Sequence, residues 1–441
     1  MSSLLIYTEQ TSNRLTYIFD LLIGDLLGLD YELTGDKEKF ATYTEAKFSY
    51  ANQPVADEIF FASALLLFEK NIDLQPITFC HHGGLSGFYP VSKQSTIPFD
   101  IFASAFFMLT RYEEYLPAKN DKYHRYRGSK SLNYIGEFLD KPMVNYYAIE
   151  LRKMLRSKFP TLTFKKHKFK HIVTFDIDMA YSYLEKGFIR NLGGFGRSFI
   201  LSEHKAMRER LLVLVGKKPD PFDTFDYIFN ICTTHSLSPI FFFLLADGSE
   251  LDKNIPHCSN RFRKLIQGIS SKNEVGIHLS FNSHTSSETI GEEINRLAEI
   301  TGSKVVRNRY HYLRFHLPKS YEQLIDQGIL EDYSMAYAPR TGFRAGICSP
   351  FYFFNLKTNQ STRLRIFPVS VMDATFTQYK KSDAEQAVSE IREIMNVVEE
   401  VEGTFISLWH NSSFTEEGVW KGWRKVFETI TREAAEIMKR P

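Results

Sequence analysis

The chain has 441 residues, 43% hydrophobic and 24% charged, which is typical of a globular protein of two or three domains and excludes a disordered polymer. Its formal charge of +2 lacks the basic excess of nucleic-acid binders, so we expect no nucleic-acid partner. No apolar run approaches the ~18 residues of a membrane span, no secretory signal is apparent, and the dispersed cysteines are typical of reduced thiols; we therefore expect a cytoplasmic protein.

The first part of the chain, residues 1–157, alternates short strand and helix patterns. Apolar residues recur with helical spacing in "RLTYIFDLLIGDLLG" and in "DIFASAFFMLTRYEEYL", where Asp100 is positioned as an N-cap. These patterns predict a smaller α/β accessory domain. A basic stretch at 152–171 is interpreted as a solvated connection to a second domain, which is predicted to span 168–441.

From residue 170 the pattern changes to apolar strands that alternate with amphipathic helices. Such repeated units favour a parallel sheet covered by helices, and seven of them favour a closed or nearly closed barrel. The strand candidates are "HIVTFDID", "SPIFFFLLADG", "NEVGIHLS", "KVVRNRYHYLRF", "EDYSMAYA", "LRIFPVSVMD" and "GTFISLWHN". Segment 184–222 is interpreted as a lid-like insertion; it lacks the GxxxxGK[ST] pattern of a phosphate loop.

Polar side chains stand where these predicted strands end. Asp176 and Asp178 are two residues apart on the first strand, so both project from the same face. Chemistry in parallel α/β folds collects at the carboxyl ends of strands. We therefore expect one site built from two carboxylates, three histidines and one arginine: Asp176, Asp178, His278, Arg309, His311 and His410.

Several short motifs in this order resemble those of the polysaccharide deacetylases, the NodB-homology group of carbohydrate esterases. "TFDID" resembles the first motif of that family, "GIHLSF" the second, "RNRYHYL" the third and "SLWH" the last, over roughly residues 168–435. The resemblance implies a distorted (β/α)7 barrel, with Asp176 as the general base and His410 as the general acid. Ile177 occupies the metal-binding position of the family, so Asp178 is predicted to bind the metal instead.

The resemblance also implies two histidine ligands. His278 matches the first histidine of the family's H[ST]xxH motif, but Asn282 fills the place of the second. His284 lies six residues after His278, about 240° round an ideal helix, so it would not share a face with it. His311 is the preferred substitute, and His284 remains the alternative. Two histidines and one carboxylate suit Zn²⁺, although Co, Ni or Fe would also fit.

Three further residues are predicted to bind substrate. Arg309 lies in the strand that resembles the family's third motif and would orient the base or the substrate. Arg344, in "TGFRAGICSPF", ends another strand pattern, and Trp409 precedes the predicted acid. With "RYEEYL" in the N-terminal part, these motifs resemble a bacterial subgroup of deacetylase-like proteins that accompanies envelope-polysaccharide biosynthesis.

The leading hypothesis is therefore a metal-dependent hydrolase that removes N-acetyl groups from a sugar or an envelope-polysaccharide intermediate. A bound cation would also relieve the repulsion between Asp176 and Asp178. A second hypothesis is a catalytically inactive carbohydrate-binding or scaffold protein, with Ile177 and Asn282 as traces of lost activity. A third is a barrel amidase that acts on a non-sugar amide. No oligomeric state is predicted.

Overall fold

The N-terminal part of the chain contains a small parallel sheet. The computed structural model describes residues 4–186 and 204–440, and its first four strands pair in the order β2-β1-β3-β4. A short antiparallel hairpin, β5 and β6, follows. The strands are Leu4–Tyr7 (β1), Tyr31–Thr34 (β2), Lys47–Ala51 (β3), Ile59–Ala62 (β4), Cys80–His82 (β5) and Leu85–Gly87 (β6).

Five helices accompany this sheet. They are Asn13–Phe19 (α1, continued by a π-helical turn at Asp20–Leu27), Lys37–Thr42 (α2), Ile101–Leu109 (α3), Leu132–Ile135 (α4) and Met143–Lys158 (α5). All of α3 is buried, and the Asp100 carboxylate caps it by accepting hydrogen bonds from the next turn, as the sequence predicts. The helix is shorter than predicted because Arg111 adopts a positive φ of 52°, which removes "RYEEYL" from it.

The C-terminal part forms a larger sheet with strand order β12-β13-β11-β10-β9-β8-β7-β15-β14. Every pair is parallel except β12 with β13. Each predicted strand is present, the sixth is divided into β13 and β14, and β12 is additional. The strands are Lys170–Ile177 (β7), Ile240–Leu244 (β8), Glu274–Leu279 (β9), Arg307–Tyr310 (β10), Glu331–Asp332 (β11), Phe351–Asn355 (β12), Gln360–Ile366 (β13), Val371–Met372 (β14) and Thr404–His410 (β15).

This sheet is strongly curved. In a flat sheet, three strand spacings of about 4.8 Å would separate β10 from β7 by about 14 Å. Arg309 of β10 nevertheless contacts Asp176 of β7, and Tyr333, after β11, lies 5.2 Å from Phe242 of β8 between ring centroids. The concave face therefore encloses an inner core. The end strands β12 and β14 do not pair with each other in the described residues, so the predicted closed or nearly closed seven-stranded barrel is not confirmed.

Seven described helices accompany this sheet, and no described helix is long and apolar enough to cross a membrane. Residues 187–203 of the predicted lid lie outside the described residues. The Asp220 carboxylate accepts hydrogen bonds from the backbone N–H groups of 182–184, which joins the two ends of that segment. The helices are His204–Leu214 (α6), Phe225–Thr234 (α7), Asn260–Ser270 (α8), Ser287–Thr301 (α9), Lys319–Asp326 (α10), Ala384–Glu400 (α11) and Trp423–Met438 (α12).

The two parts of the chain share one continuous hydrophobic core and a buried ion-pair network. The carboxylate of Glu114 accepts hydrogen bonds from Arg344 at 2.6 and 3.0 Å and from Arg111 at 2.8 Å. Arg111 also donates to the backbone carbonyl of Arg344. "RYEEYL" is therefore a structural junction between the N-terminal segment and the large sheet. The predicted domain limits, 1–157 and 168–441, stay predictions.

The variant Glu114→Ala is expected to lower the free energy of unfolding by about 3–5 kcal/mol, because it leaves the buried guanidinium of Arg344 without its carboxylate and that of Arg111 with Glu113 alone. Urea denaturation measures this change. The control is Glu150→Ala, which breaks only the exposed pair with Lys153 and should cost about 1 kcal/mol or less. Equal losses in the two variants would contradict a structural role for the network.

Candidate active site

The candidate site lies at the carboxyl ends of neighbouring strands of the large sheet. Asp176 is in β7 and Asp178 follows that strand, while His278 is in β9. His311 follows β10, and His410 ends β15 directly beside Asp176 in the register. Parallel pairing brings these ends to one edge of the sheet, so residues more than 200 positions apart become neighbours.

The side-chain alternation of β7 explains the TFDID motif. Ile177 is fully buried in the hydrophobic core. Asp176 and Asp178 project to the other face, where Asp176 is buried and the Asp178 side chain is 33% exposed. The isoleucine therefore cannot bind a metal, and the carboxylate one residue later lies beside the histidines.

Asp178, His278 and His311 form a cluster whose potential ligand atoms all lie within 4.8 Å of one another. Nε2 of His278 is 3.2 Å from Asp178 Oδ1, and Nε2 of His311 is 3.6 Å from Asp178 Oδ2. The turn that places His311 has positive φ angles at Tyr312 (59°) and Leu313 (54°). Left-handed backbone at two consecutive non-glycine residues is costly, and such strain is concentrated at functional sites.

Hydrogen bonds to the other ring nitrogens set the tautomers of both histidines. Nδ1 of His278 lies 3.0 Å from the backbone carbonyl of Arg309, and Nδ1 of His311 lies 2.8 Å from Asp252 Oδ1. Carbonyl and carboxylate oxygens only accept, so each Nδ1 carries the hydrogen. In the neutral rings both Nε2 lone pairs are then directed toward Asp178.

Three electron-pair donors thus converge in one small volume. Asp178 Oδ1 is buried and has no hydrogen-bond donor, although His278 Nε2 is close to it. A divalent cation would satisfy that oxygen and both ring nitrogens. One carboxylate and two imidazoles, each imidazole supported by an oxygen behind it, form the kind of ligand set that zinc prefers when one position stays open. The residues present therefore fit a metal.

The carboxylates and imidazoles of the cluster shift the pKa values of one another. Burial would raise the pKa of Asp178, but His311, His278 and His410 outweigh it and hold that pKa well below its usual range. Burial would lower the pKa of His311, and the carboxylates of Asp178 and Asp252 instead raise it to about 9. Protons on the histidines then balance the negative charge of the carboxylates. A metal that binds here has to displace these protons.

His410 flanks the cluster on the side of Asp178 Oδ2, with its Nε2 3.8 Å from that oxygen. Its Nδ1 lies 2.8 Å from Asp373 Oδ1, and its backbone N–H donates to the same carboxylate. Burial would lower the pKa of His410, but Asp373 and Asp178 outweigh this effect and raise it to about 10. A cationic imidazole held in this way can donate a proton from Nε2 at neutral pH.

The variant Asp373→Asn should move the alkaline limb of the pH–rate profile of kcat to lower pH. Without the Asp373 carboxylate, the pKa of His410 falls, by about one unit or more, and the proton-donating form is lost earlier as the pH rises. Asp326→Asn, an exposed position on α10, is the control. An unchanged alkaline limb in Asp373→Asn would exclude His410 as the titrating acid.

Asp176 flanks the cluster beside His278, whose Nε2 is 3.6 Å from its Oδ2. Arg309 holds the other oxygen, with Nη1 2.7 Å from Asp176 Oδ1. The remaining nitrogens of Arg309 donate to Thr174 and to the carbonyl of Tyr333, and its side chain is 0% exposed. Arg309 therefore positions Asp176, which is one of the two roles predicted for it, and its contact with substrate stays a prediction.

The predicted substrate contact of Trp409 is wrong, whereas that of Arg344 is not tested. Trp409 is 1% exposed and packs in the hydrophobic core 5.1 Å from Phe427, with its indole N–H bonded to Ser407. It alternates with His410, so it lies on the opposite face of β15. The guanidinium of Arg344 is buried and bonded to Glu114 and to the carbonyl of Ala336. Trp409 therefore cannot contact a sugar, and the predicted contact of Arg344 with substrate stays a prediction.

The alternative ligand His284 lies outside the cluster. Its Nδ1 hydrogen-bonds the carbonyl of Phe281, and its ring lies 5.3 Å from that of His316.

Sequence reasoning missed the carboxylates of Asp252 and Asp373. Asp373 ends the strand pattern "LRIFPVSVMD", so the same strand-end signal could have found it. Asp252 lies eight residues beyond β8 in a loop, where no pattern marks it.

A narrow cleft of about 110 Å³ opens onto these groups. The N-terminal segment supplies one of its walls through Arg125, which donates to the carbonyl of Tyr312. The remaining walls are mainly aromatic and apolar. Besides Arg125 the lining comprises Asp176, Asp178, Tyr310, His311, Tyr312, Leu313, Ala338, Met372, Ala374, Gln378, Tyr379, Leu408 and His410.

Comparison with known proteins shows a partial likeness. Residues 4–160 match a family of unknown function, DUF7033. A search of curated proteins finds no match. The model of that family covers only the N-terminal part, so it includes neither the cluster nor its flanking residues.

Among solved structures, the chain is similar to a candidate polysaccharide deacetylase from Mycobacterium smegmatis, at 16% identity and a TM-score of 0.39 over 60% of this chain and 85% of the other. A probable polysaccharide deacetylase from Pseudomonas aeruginosa PAO1 matches at 11% identity, with the same coverage and TM-score. A CE4 family pseudoenzyme from Bacillus anthracis matches at 11% identity and a TM-score of 0.31, over 61% of each chain. These low scores leave the function to be argued from the geometry of the site.

Proposed function

We propose that the protein is a metal-dependent amide hydrolase that removes N-acetyl groups from a sugar. The observation that carries the proposal is the cluster of Asp178, His278 and His311, flanked by Asp176 on one side and His410 on the other. Zn²⁺ suits these ligands, and Co, Ni or Fe would fit them as well. An envelope-polysaccharide intermediate as the substrate is part of the proposal and rests on the motif resemblance.

The reaction needs a nucleophile, a base and an acid around one carbonyl group. A divalent metal would lower the pKa of a water from ~15.7 toward ~7 and would polarise the carbonyl. Asp176, fixed by Arg309, accepts the proton of the attacking water. His410, fixed by Asp373, donates a proton to the departing nitrogen, because an unprotonated amine anion is a poor leaving group.

The lining of the cleft supports a sugar as the carrier of the amide. Its volume of about 110 Å³ accepts a small acyl group but little more. Tyr312 and Tyr379 line it together with Met372 and Leu408, so a ring and an apolar wall are available to the face of a pyranose.

Zinc analysis and acetate release from N-acetylglucosamine oligosaccharides test the proposal. We expect about one zinc per chain and metal-dependent acetate release, both lost in His278→Ala. His284→Ala is the matched control, since it removes a buried histidine outside the cluster and should leave both unchanged. Absence of zinc in the unmodified protein would favour an inactive carbohydrate-binding protein, while zinc without acetate release from any sugar would favour an amidase of another substrate class.

A further inference from the structure

A second, larger cavity adjoins the active-site cleft. Its volume is about 380 Å³, and it shares the side chains of Arg125, Leu313, Ala338 and Tyr379 with the cleft. Ligand sites commonly measure about 300–1,000 Å³, so the cleft of about 110 Å³ is too small for a whole substrate. The part of the substrate beyond the acyl group therefore has to extend into the adjoining space.

The wall of this cavity is strongly basic. It contains one carboxylate, Asp121, and five cationic side chains: Arg125, Arg127, Arg340, Arg344 and Lys380. Three of the five cations are compensated by carboxylates. Arg125 pairs with Asp121, Arg344 with Glu114 and Lys380 with Glu390. The excess charge of the cavity therefore comes from Arg127 and Arg340.

Both arginines have guanidinium N–H groups that donate to no acceptor in the described residues. Among the described residues, the guanidinium of Arg127 donates a single hydrogen bond, from Nε to the carbonyl of Asn120 at 2.8 Å. The guanidinium carbon of Arg340 lies over the ring of Tyr134, 3.8 Å from its centroid. Within residues 4–186 and 204–440, neither guanidinium forms an ion pair. Planar guanidinium groups with free N–H edges bind phosphate and carboxylate in a bidentate manner.

We propose that this cavity binds an oxoanion carried by the substrate, so that the protein deacetylates an anionic acetamido sugar rather than a neutral one. The inference rests on the proposed function, which accounts for the acyl group. It adds a site for the negative charge of the substrate. Arg127 comes from the N-terminal segment and Arg340 from the loop after β11, so both parts of the chain build the site. A phosphate ester and a uronate carboxylate share the required chemistry.

The binding experiment uses zinc-loaded protein and inorganic phosphate, measured by titration calorimetry. We expect saturable binding that weakens with ionic strength, that persists in His278→Ala, and that falls at least about tenfold in Arg127→Gln and in Arg340→Gln. Lys130→Gln, three residues from Arg127 and outside the cavity lining, should bind phosphate like the unmodified protein. If His278→Ala lost phosphate binding while the two arginine variants bound phosphate normally, the anion would lie at the metal and the proposal would be overturned.

The substrate experiment compares acetate release from three acetamido sugars: N-acetylglucosamine 1-phosphate, an N-acetylglucosamine–glucuronate disaccharide and neutral chitobiose. We expect the KM of one of the charged sugars to be at least about tenfold lower than the KM of chitobiose. Arg340→Gln should remove this difference without changing the KM of chitobiose. The sugar with the advantage identifies the oxoanion. Equal KM values for all three would overturn the inference and leave the proposed function intact. Arginine-dependent phosphate binding without acetate release would support the oxoanion site and count against the deacetylase.

Discussion

The variant Asp176→Asn is expected to reduce acetate release about 10²- to 10⁴-fold, the usual contribution of a positioned general base. Asparagine has nearly the same size and still offers an oxygen to Arg309, but its amide cannot take a proton from water. Because Asp176 lies beside the cluster and Asp178 supplies the nearest carboxylate oxygens, the variant should retain its metal. Kinetics of acetate release and metal analysis of the same preparation measure both effects.

Asp326→Asn is the matched control for this experiment, since it makes the same chemical change at an exposed position. It should leave kcat and metal content unchanged. A variant Asp176→Asn that lost its metal would assign Asp176 to the ligand set. Full activity of Asp176→Asn would instead remove it from the reaction altogether.

Zinc is expected to stabilise the protein against heat. A cation that binds only the folded chain at about 1,000 times its Kd adds about 4 kcal/mol to the free energy of unfolding, and several degrees to Tm. The physical reason is the convergence of Asp178 Oδ1, which has no hydrogen-bond donor, with two imidazole nitrogens. Scanning calorimetry with and without zinc measures the shift.

His278→Ala should abolish this shift, whereas His284→Ala should preserve it, because only His278 belongs to the cluster. Since the metal displaces protons from His311, the shift should also grow as the pH rises toward about 9. A Tm that zinc leaves unchanged in the unmodified protein would contradict a metal site at these residues.

Much of the larger sheet could be predicted from the sequence, since its strands are short, apolar and bounded by turns. The period of two along TFDID was enough to separate Ile177 from the two aspartates. His311 was the preferred substitute for the missing histidine ligand, and it lies next to Asp178. Trp409 was misjudged although it obeys that rule, because an aromatic residue next to a polar strand end suggested a sugar contact.

Arg344 and Glu114 show where the sequence fails. Each has the pattern of a surface charge near a turn, and only their approach across 230 positions makes them a buried pair. The same is true of Asp252, which is 59 residues from His311. No local pattern carries that information, since the energy of such a pair depends on burial and distance, which only long-range packing sets.

The sequence by itself determined the β–α alternation, the order of the strand ends and the face on which each polar side chain projects. These features follow from local sterics and from the period of the hydrophobic residues. The tertiary structure decided the curvature that brings Arg309 to Asp176, the oxygens that orient His311 and His410, and the second cavity that the N-terminal segment shares with the large sheet. Those features depend on contacts between residues remote in the chain. A buried charge is unfavourable unless an oppositely charged partner lies beside it, and only the tertiary structure brings such partners together.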